Sequence, residues 1–195
     1  MQVFCFDTSE LEGLFLPKQG LKSFNPLECT AYLIDEGLFQ MKRIIANVNE
    51  NYSLMIEKPH PVYIGALPWN TYQGIPAEVI FNFCGDLPKL GTKKTTIIFP
   101  FLDENNRDAL PSDEDIFNFL KVAVFYTQKT STFWHCHAGV NRSAFMLALY
   151  LYTYHFDNMS MEDVIEFIRG KHHDYCLSNE TFVRKLKELE ARVEF

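Results

Sequence analysis

A cysteine, five intervening residues and an arginine, Cys136-His137-Ala138-Gly139-Val140-Asn141-Arg142, followed at once by Ser143, form the stretch of this chain best suited to chemistry. A β-like run, Ser131 to Trp134, precedes it, and a long apolar helical run, Ser143 to Phe156, follows. Between a strand and a helix those five residues can curl so that several backbone N–H groups converge at the helix N-terminus, a place where anions bind. The same field favours thiolate over thiol, and a neighbouring guanidinium adds to it, which makes Cys136 a candidate nucleophile at neutral pH. Arg142 is a planar, permanently charged fork that suits two phosphoryl oxygens and holds them as charge shifts in a transition state. Ser143 supplies a hydroxyl that could steady the sulfur when it departs from a covalent intermediate. The bland alternative is an inert cysteine buried at the end of a core strand.

The elements that must position this loop are legible on either side of it. Glu78 to Phe83 and Thr95 to Phe99 read as buried parallel strands. Ser112 with Asp115, and Ser160 with Asp163, are capping pairs that open helices, the second running to about Arg169. A last helix starts near Asn179 and turns Phe182, Leu186 and Leu189 inward. Strands alternating with helices predict one α/β domain with a central, largely parallel sheet, covered on both faces and flanked by helices, and a phosphate-binding loop between a strand and a helix. Near the N-terminus, Asn25-Pro26 looks like the entry to a helix over Leu27 to Val48, with Leu33, Ile34, Leu38, Met41, Ile44 and Ile45 as its apolar stripe.

Composition narrows the function classes. The chain has 195 residues, 47% hydrophobic and 22% charged, which suits one globular domain with a substantial core. Its net charge of −7 argues against nucleic acid or a membrane surface held by global charge, so any attraction for phosphate must be local. The longest apolar run, Ala144 to Tyr154, is far short of the roughly 20 residues that span a bilayer, so no membrane span is expected. Met1 to Leu16 has acidic but no basic residues, unlike a secretory signal. Five scattered cysteines without a paired spacing suggest neither zinc nor a disulfide framework; a reducing compartment, hence the cytoplasm, is the expectation.

His135-Cys136-x5-Arg142-Ser143 resembles the signature of cysteine-dependent protein tyrosine phosphatases, and Ala138-Gly139-Val140 within it is most similar to the dual-specificity branch. The resemblance runs from Val62-Tyr63-Ile64-Gly65, similar to that domain's opening strand, to the C-terminus. It divides the chain into an N-terminal extension, 1–58, packing on a catalytic domain, 59–195. The connection from Gly65 to Glu78 is short and holds Pro68, Gly74 and Pro76, so the helix usual there in the family is expected to be shortened or lost.

The resemblance implies a phosphomonoesterase needing neither metal nor other cofactor. Its substrate would be a phosphorylated protein or, alternatively, a phosphoinositide or inositol polyphosphate, although lysines common in the loops of lipid-directed relatives are absent here. A phospho-binding pseudophosphatase is a third reading, opposed by the intact Cys136, Arg142 and Asp103. Cleavage leaves an alkoxide or phenolate that must be protonated, so a carboxylic acid is required. Asp103, directly after a strand and in a setting that resembles the family's general-acid loop, is the candidate; Asp108 is the rival, and a turn cap with Asn105 and Asn106 is the other reading. By the same resemblance His135 braces the cysteine loop, and the loop residues His137 to Arg142 bind substrate. His137 either adds positive charge near the pocket or packs. Lys171, His172 and His173, with Arg107, could form a second anion site. Cys84, at the end of its strand, should share the carboxyl edge of the sheet with the phosphate loop, and in some relatives a cysteine there closes a reversible disulfide with the nucleophile.

Overall fold

The computed structural model describes residues 32–33, 52–90 and 93–192. Its sheet has six strands, β1 (Tyr32–Leu33), β2 (Tyr52–Ile56), β3 (Val62–Ala66), β4 (Val79–Asn82), β5 (Thr95–Ile98) and β6 (Thr132–Cys136), in the order β1-β5-β4-β6-β3-β2. The four inner strands pair in parallel, and β1 and β2 close the two edges antiparallel. Parallel strands covered on both faces need apolar side chains pointing both ways, which is why Val79 to Asn82 and Thr132 to Cys136 are buried at every position.

Among the described residues there are four α-helices: α1 (Asp113–Thr127) between β5 and β6, and α2 (Arg142–Tyr154), α3 (Met161–Lys171) and α4 (Glu180–Glu190) after β6. Ser112 caps α1 and Ser160 caps α3, the latter in a full capping box with Asp163, as the sequence predicts. Such a cap contributes about 1 kcal/mol each by satisfying orphan N–H groups. Every residue of α2 from Ser143 to Leu151 is buried, so this helix is the central post of the domain. Asp113 at the start of α1 forms ion pairs with Lys185 and Arg192 and ties α1 to the C-terminal helix.

The two faces of the sheet are covered differently. Val62, Ile64, Phe81, Phe83 and Trp134 face a large core to which all four helices contribute. Ile80 and Phe133, alternating with them along the strands, face a small cluster made by Tyr72, Ile75 and Ala77 of the β3–β4 connection, with Tyr52 and Tyr63 at its border. The connection contains turns and no helix, as its prolines and glycine require. The largely parallel sheet is thus covered on both faces and flanked by helices, as the sequence predicts. On the smaller face the fully buried Tyr72 stands where Pro68, Gly74 and Pro76 oppose a helix.

Near the N-terminus, Tyr32–Leu33, two residues of the stretch predicted helical over Leu27 to Val48, form an extended pair against β5. The rest of that stretch, with Ile34, Leu38, Met41, Ile44 and Ile45, lies outside the described residues. Strand β2, before residue 59, is hydrogen-bonded to β3, so the sheet begins inside the stretch assigned to the extension.

Candidate active site

Strand β6 ends at Cys136, opposite Ala66 of β3, and helix α2 begins at Arg142, so residues 137–141 make the turn between them. The turn is fixed from three directions. Leu67 N–H donates to the carbonyls of Cys136 (2.9 Å) and His137 (3.2 Å), Phe83 N–H donates to His135 (2.9 Å), and Leu177 N–H donates to Val140 (3.1 Å). Gly139 sits at φ +76, and a Cβ there would come within 2.5 Å of the Gly65 carbonyl carbon. Only glycine meets both conditions. Among the described residues, no backbone N–H from His137 to Arg142 is donated to a backbone acceptor, so these groups remain for an anion at the helix N-terminus.

Cys136 lies at the floor, 1% exposed, and the Ser143 hydroxyl is 3.4 Å from its sulfur. Arg142 Nη1 donates to the Phe101 carbonyl at 3.2 Å and, more weakly, to Phe83 at 3.5 Å. Its Nε is buried with no protein partner. One edge of the fork is thus used to orient the side chain, and a buried donor is left for an acceptor that the protein does not supply.

His135 braces the cysteine from behind. Its ring is fully buried, with Nδ1 3.3 Å from the Cys136 carbonyl and Nε2 2.6 Å from the Tyr72 hydroxyl. Burial holds its pKa down to about 3, and the Arg142 charge acts in the same direction, so the ring is neutral. A carbonyl only accepts, which places the single proton on Nδ1 and makes Tyr72 the donor to Nε2. Burial in turn pushes the Tyr72 phenol upward, so it keeps the proton it donates. Beside them Asn82, fully buried in β4, accepts from the N–H groups of Cys84 (3.0 Å) and Gly85 (2.9 Å) and donates to the Asp86 carbonyl (2.7 Å). That amide shapes the strand end from which Cys84 and Asp86 project. A polar side chain inside the apolar run Val79 to Phe83 is a sequence signal for such a role; Tyr72 has none.

Strands β4 and β6 are neighbours, with Asn82 opposite His135, so Cys84 does share the sheet edge with Cys136. Its thiol, a free one, rests 3.3 Å from the Asn82 oxygen and is pushed up by burial.

Asp103 stands on the exposed loop that follows β5, two residues past the carbonyl that orients Arg142, and its Oδ1 accepts from Asn179 Nδ2 at 3.1 Å. The rival Asp108 lies in a short 3-10 helix, Arg107–Ala109, which Asn106 caps. His137 has its side chain 71% exposed, with Nδ1 3.7 Å from the Asp86 carboxylate.

Of the four side chains of the predicted second anion site, the His172 and His173 rings lie 4.1 Å apart, while Arg107 and Lys171 engage other partners. Arg107 pairs with Glu188 of α4 at 2.8 Å. Lys171 lies over the Phe167 ring and His173 stacks on Tyr175. His172 turns inward, with Nδ1 2.8 Å from the Ser53 hydroxyl, and burial with the neighbouring His173 holds it down to about 4. A run of charges in sequence becomes a site only where the backbone directs them to one point, and of these four only the His172 and His173 rings lie together.

Comparison with known proteins follows the same lines. The family model described as the dual specificity phosphatase catalytic domain matches residues 75–192. Among solved structures, the chain is similar in fold to PTPMT1 (21% identity, 73% of this chain and 95% of that one, TM-score 0.58). It is also similar to kinase associated phosphatase with its catalytic-site cysteine replaced by serine (15%, 77% and 98%, TM-score 0.60) and to human DUSP28 (14%, 75% and 97%, TM-score 0.54). No curated protein sequence matches the chain.

Proposed function

The chain belongs to the dual-specificity phosphatase family and is a cysteine-dependent phosphatase, and from that premise we propose that it hydrolyses phosphomonoesters on protein side chains, phosphotyrosine foremost. The observation that carries the mechanism is the Arg142 fork, held on one edge by the Phe101 carbonyl with its buried Nε unpartnered, six residues after a buried cysteine whose following turn leaves its N–H groups without backbone acceptors. In the first step the Cys136 thiolate attacks phosphorus, the S–P bond forms, the ester P–O bond breaks, and the Asp103 carboxyl gives its proton to the departing oxygen. In the second, water attacks the phosphocysteine, the Asp103 carboxylate takes the water's proton, and the S–P bond breaks as Ser143 donates to the leaving sulfur. The loop N–H groups and Arg142 hold the equatorial oxygens throughout.

Three exposed apolar side chains support a peptide over a polyphosphate: Trp69 (73% exposed), Leu102 (57%) and Tyr175 (54%). Each stands on a segment that contacts the loop or Arg142, through Leu67, Phe101 and Leu177 respectively. The separate engagements of Arg107 with Glu188 and of Lys171 with the Phe167 ring support the same choice, since a second phosphate would need both cations free to converge on it. Among the described residues no helix is long and apolar enough to cross a membrane; a cytoplasmic location belongs to this proposal. The test is one metal-free turnover panel of phosphotyrosine and phosphothreonine peptides, phosphoinositides and inositol polyphosphates. Highest kcat/KM on a phosphotyrosine peptide is expected. A preference for any inositol phosphate would overturn the substrate reading and leave the cysteine chemistry intact.

A further inference from the structure

The loop carrying Asp103 is exposed, and few contacts fix it. Besides Arg142, which holds the Phe101 carbonyl, Asn179 joins it to the phosphate loop. Asn179 is 7% exposed and sits at the N-cap of α4, where its side-chain oxygen accepts from Thr181 N–H at 3.0 Å. A cap alone would use only that oxygen. The other end of the same amide donates to Asp103 Oδ1 and to the Glu104 carbonyl, both at 3.1 Å. Its backbone N–H donates to the Asn141 side-chain oxygen at 3.2 Å, and Ser178 Oγ reaches that oxygen at 3.3 Å. Asn141 is the last residue of the turn before Arg142, and the preceding Val140 carbonyl is held by Leu177 N–H. Hydrogen bonds therefore run from the phosphate loop through Asn141 and Asn179 to Asp103.

We propose that Asn179 is a positioning residue that registers the acid loop against the phosphate loop and decides which oxygen of Asp103 carries the transferable proton. The proposal rests on Asp103 being the general acid. An amide N–H can only donate, so Oδ1 serves as an acceptor. In the neutral carboxyl the proton must then sit on Oδ2, the oxygen left free to face the leaving group. After that proton is given up, Oδ1 stays occupied and Oδ2 is the oxygen that receives the proton from the attacking water. The same oxygen acts in both steps, without rotation of the carboxyl between them. Without the amide the exposed carboxyl turns about its own bonds, and displacement of a reacting group by about 1 Å can cost on the order of 10²-fold in rate.

Asn179→Ser and Asn179→Asp both keep an oxygen for the α4 cap and both lose the donor to Asp103. Asn179→Asp also sets a like charge beside it. Each variant, together with Asp103→Asn and the doubles, is assayed on an alkyl phosphate and on nitrophenyl phosphate, with thermal unfolding measured alongside. Asn179→Ser is expected to lower kcat on the alkyl ester about tenfold or more, and on the nitrophenyl ester about twofold or less, because only the former needs the proton. Asn179→Asp should lose more, and either change should cost almost nothing further in an Asp103→Asn background. Equal losses on both substrates, wild-type kinetics with only a lowered melting temperature, or losses that multiply in the double variants would overturn the proposal and leave Asn179 a helix cap. If Asp103→Asn itself shows no leaving-group dependence, the acid assignment falls first and this proposal with it. If Asp103→Asn shows that dependence and the Asn179 variants do not, only the coupling is wrong.

Discussion

The phosphate loop and the loop carrying Asp103, the proposed acid, are joined through Arg142 and Asn179, yet they are built by different means. The first is fixed by backbone: a strand behind it, a helix ahead, carbonyls tied from β3, β4 and the segment before α4, and a glycine that no other residue can replace. The second, from Phe99 to Asn106, is exposed beyond Phe101 and is held by side chains, chiefly Arg142 and Asn179. A nucleophile and an oxyanion cradle work only at one geometry, whereas an acid must approach leaving groups of different shapes. The rigid half binds, and the half held by side chains discriminates.

The comparison breaks most sharply at Gly139. Gly139→Ala forces a Cβ into the Gly65 carbonyl and a side chain into positive φ, so it should reduce kcat/KM by about 10³-fold or more for every substrate, good or poor leaving group alike. Kinetics on the two ester classes check this; a selective loss would show the loop to be less rigid than its packing implies. Asp103→Asn should instead cost about 10²–10⁴-fold on alkyl esters and far less on nitrophenyl phosphate, with a flattened basic limb of the pH profile. If Asp108→Asn has that signature and Asp103→Asn does not, the role passes to Asp108.

How much of this contrast was legible in the sequence follows from the range of the interactions. The phosphate loop is local: its cysteine, glycine, arginine and serine lie within eight consecutive residues, and a strand-loop-helix pattern places them. Ser112, Ser160 and Asn179 could be read as helix starts for the same reason. What failed is non-local. Tyr72 meets His135 across 63 positions, and Asn179 meets Asp103 across 76, and neither tyrosine nor asparagine announces such a partner. Asn179 looked like a cap, and it is one; its second role depends on where another loop comes to rest. The separate partners of Arg107, Lys171 and the His172–His173 pair have the same origin, since sequence position does not fix which partners a side chain meets.

A smaller effect separates the support behind the phosphate loop from the loop itself. His172 and His135 are held neutral by burial, at about 4 and about 3, below the usual value near 6.5. Between pH 6.5 and 4 the unfolded chain takes up protons at these histidines while the folded one does not. Stability present at neutral pH is therefore lost as pH falls through that window. His172→Gln should make the melting temperature less dependent on pH between 7 and 5, with turnover little changed. An unaltered slope would mean that His172 is not the group sensed.

The smallest expected effect is at Cys84. Cys84→Ser should leave kcat nearly unchanged, because its thiol rests on Asn82, and should alter only recovery from peroxide. Wild type is expected to regain activity with dithiothreitol and to yield a peptide linking Cys84 to Cys136, by capture of the oxidised nucleophile before the irreversible stage. Equal recovery by both proteins, with no such peptide, would leave Cys84 as packing.

The central claim is that phosphate passes through the Cys136 sulfur, and rapid-quench mass spectrometry tests it directly. With nitrophenyl phosphate and Asp103→Asn, the first step needs no proton donor while the second lacks its base, so the intermediate should accumulate. The account predicts a peptide of Cys136 heavier by one phosphoryl group, formed within the first turnover without metal and absent from Cys136→Ser. Sustained turnover with no phosphorylated Cys136 at any time, or an equal yield of phosphorylated enzyme from Cys136→Ser, would contradict it.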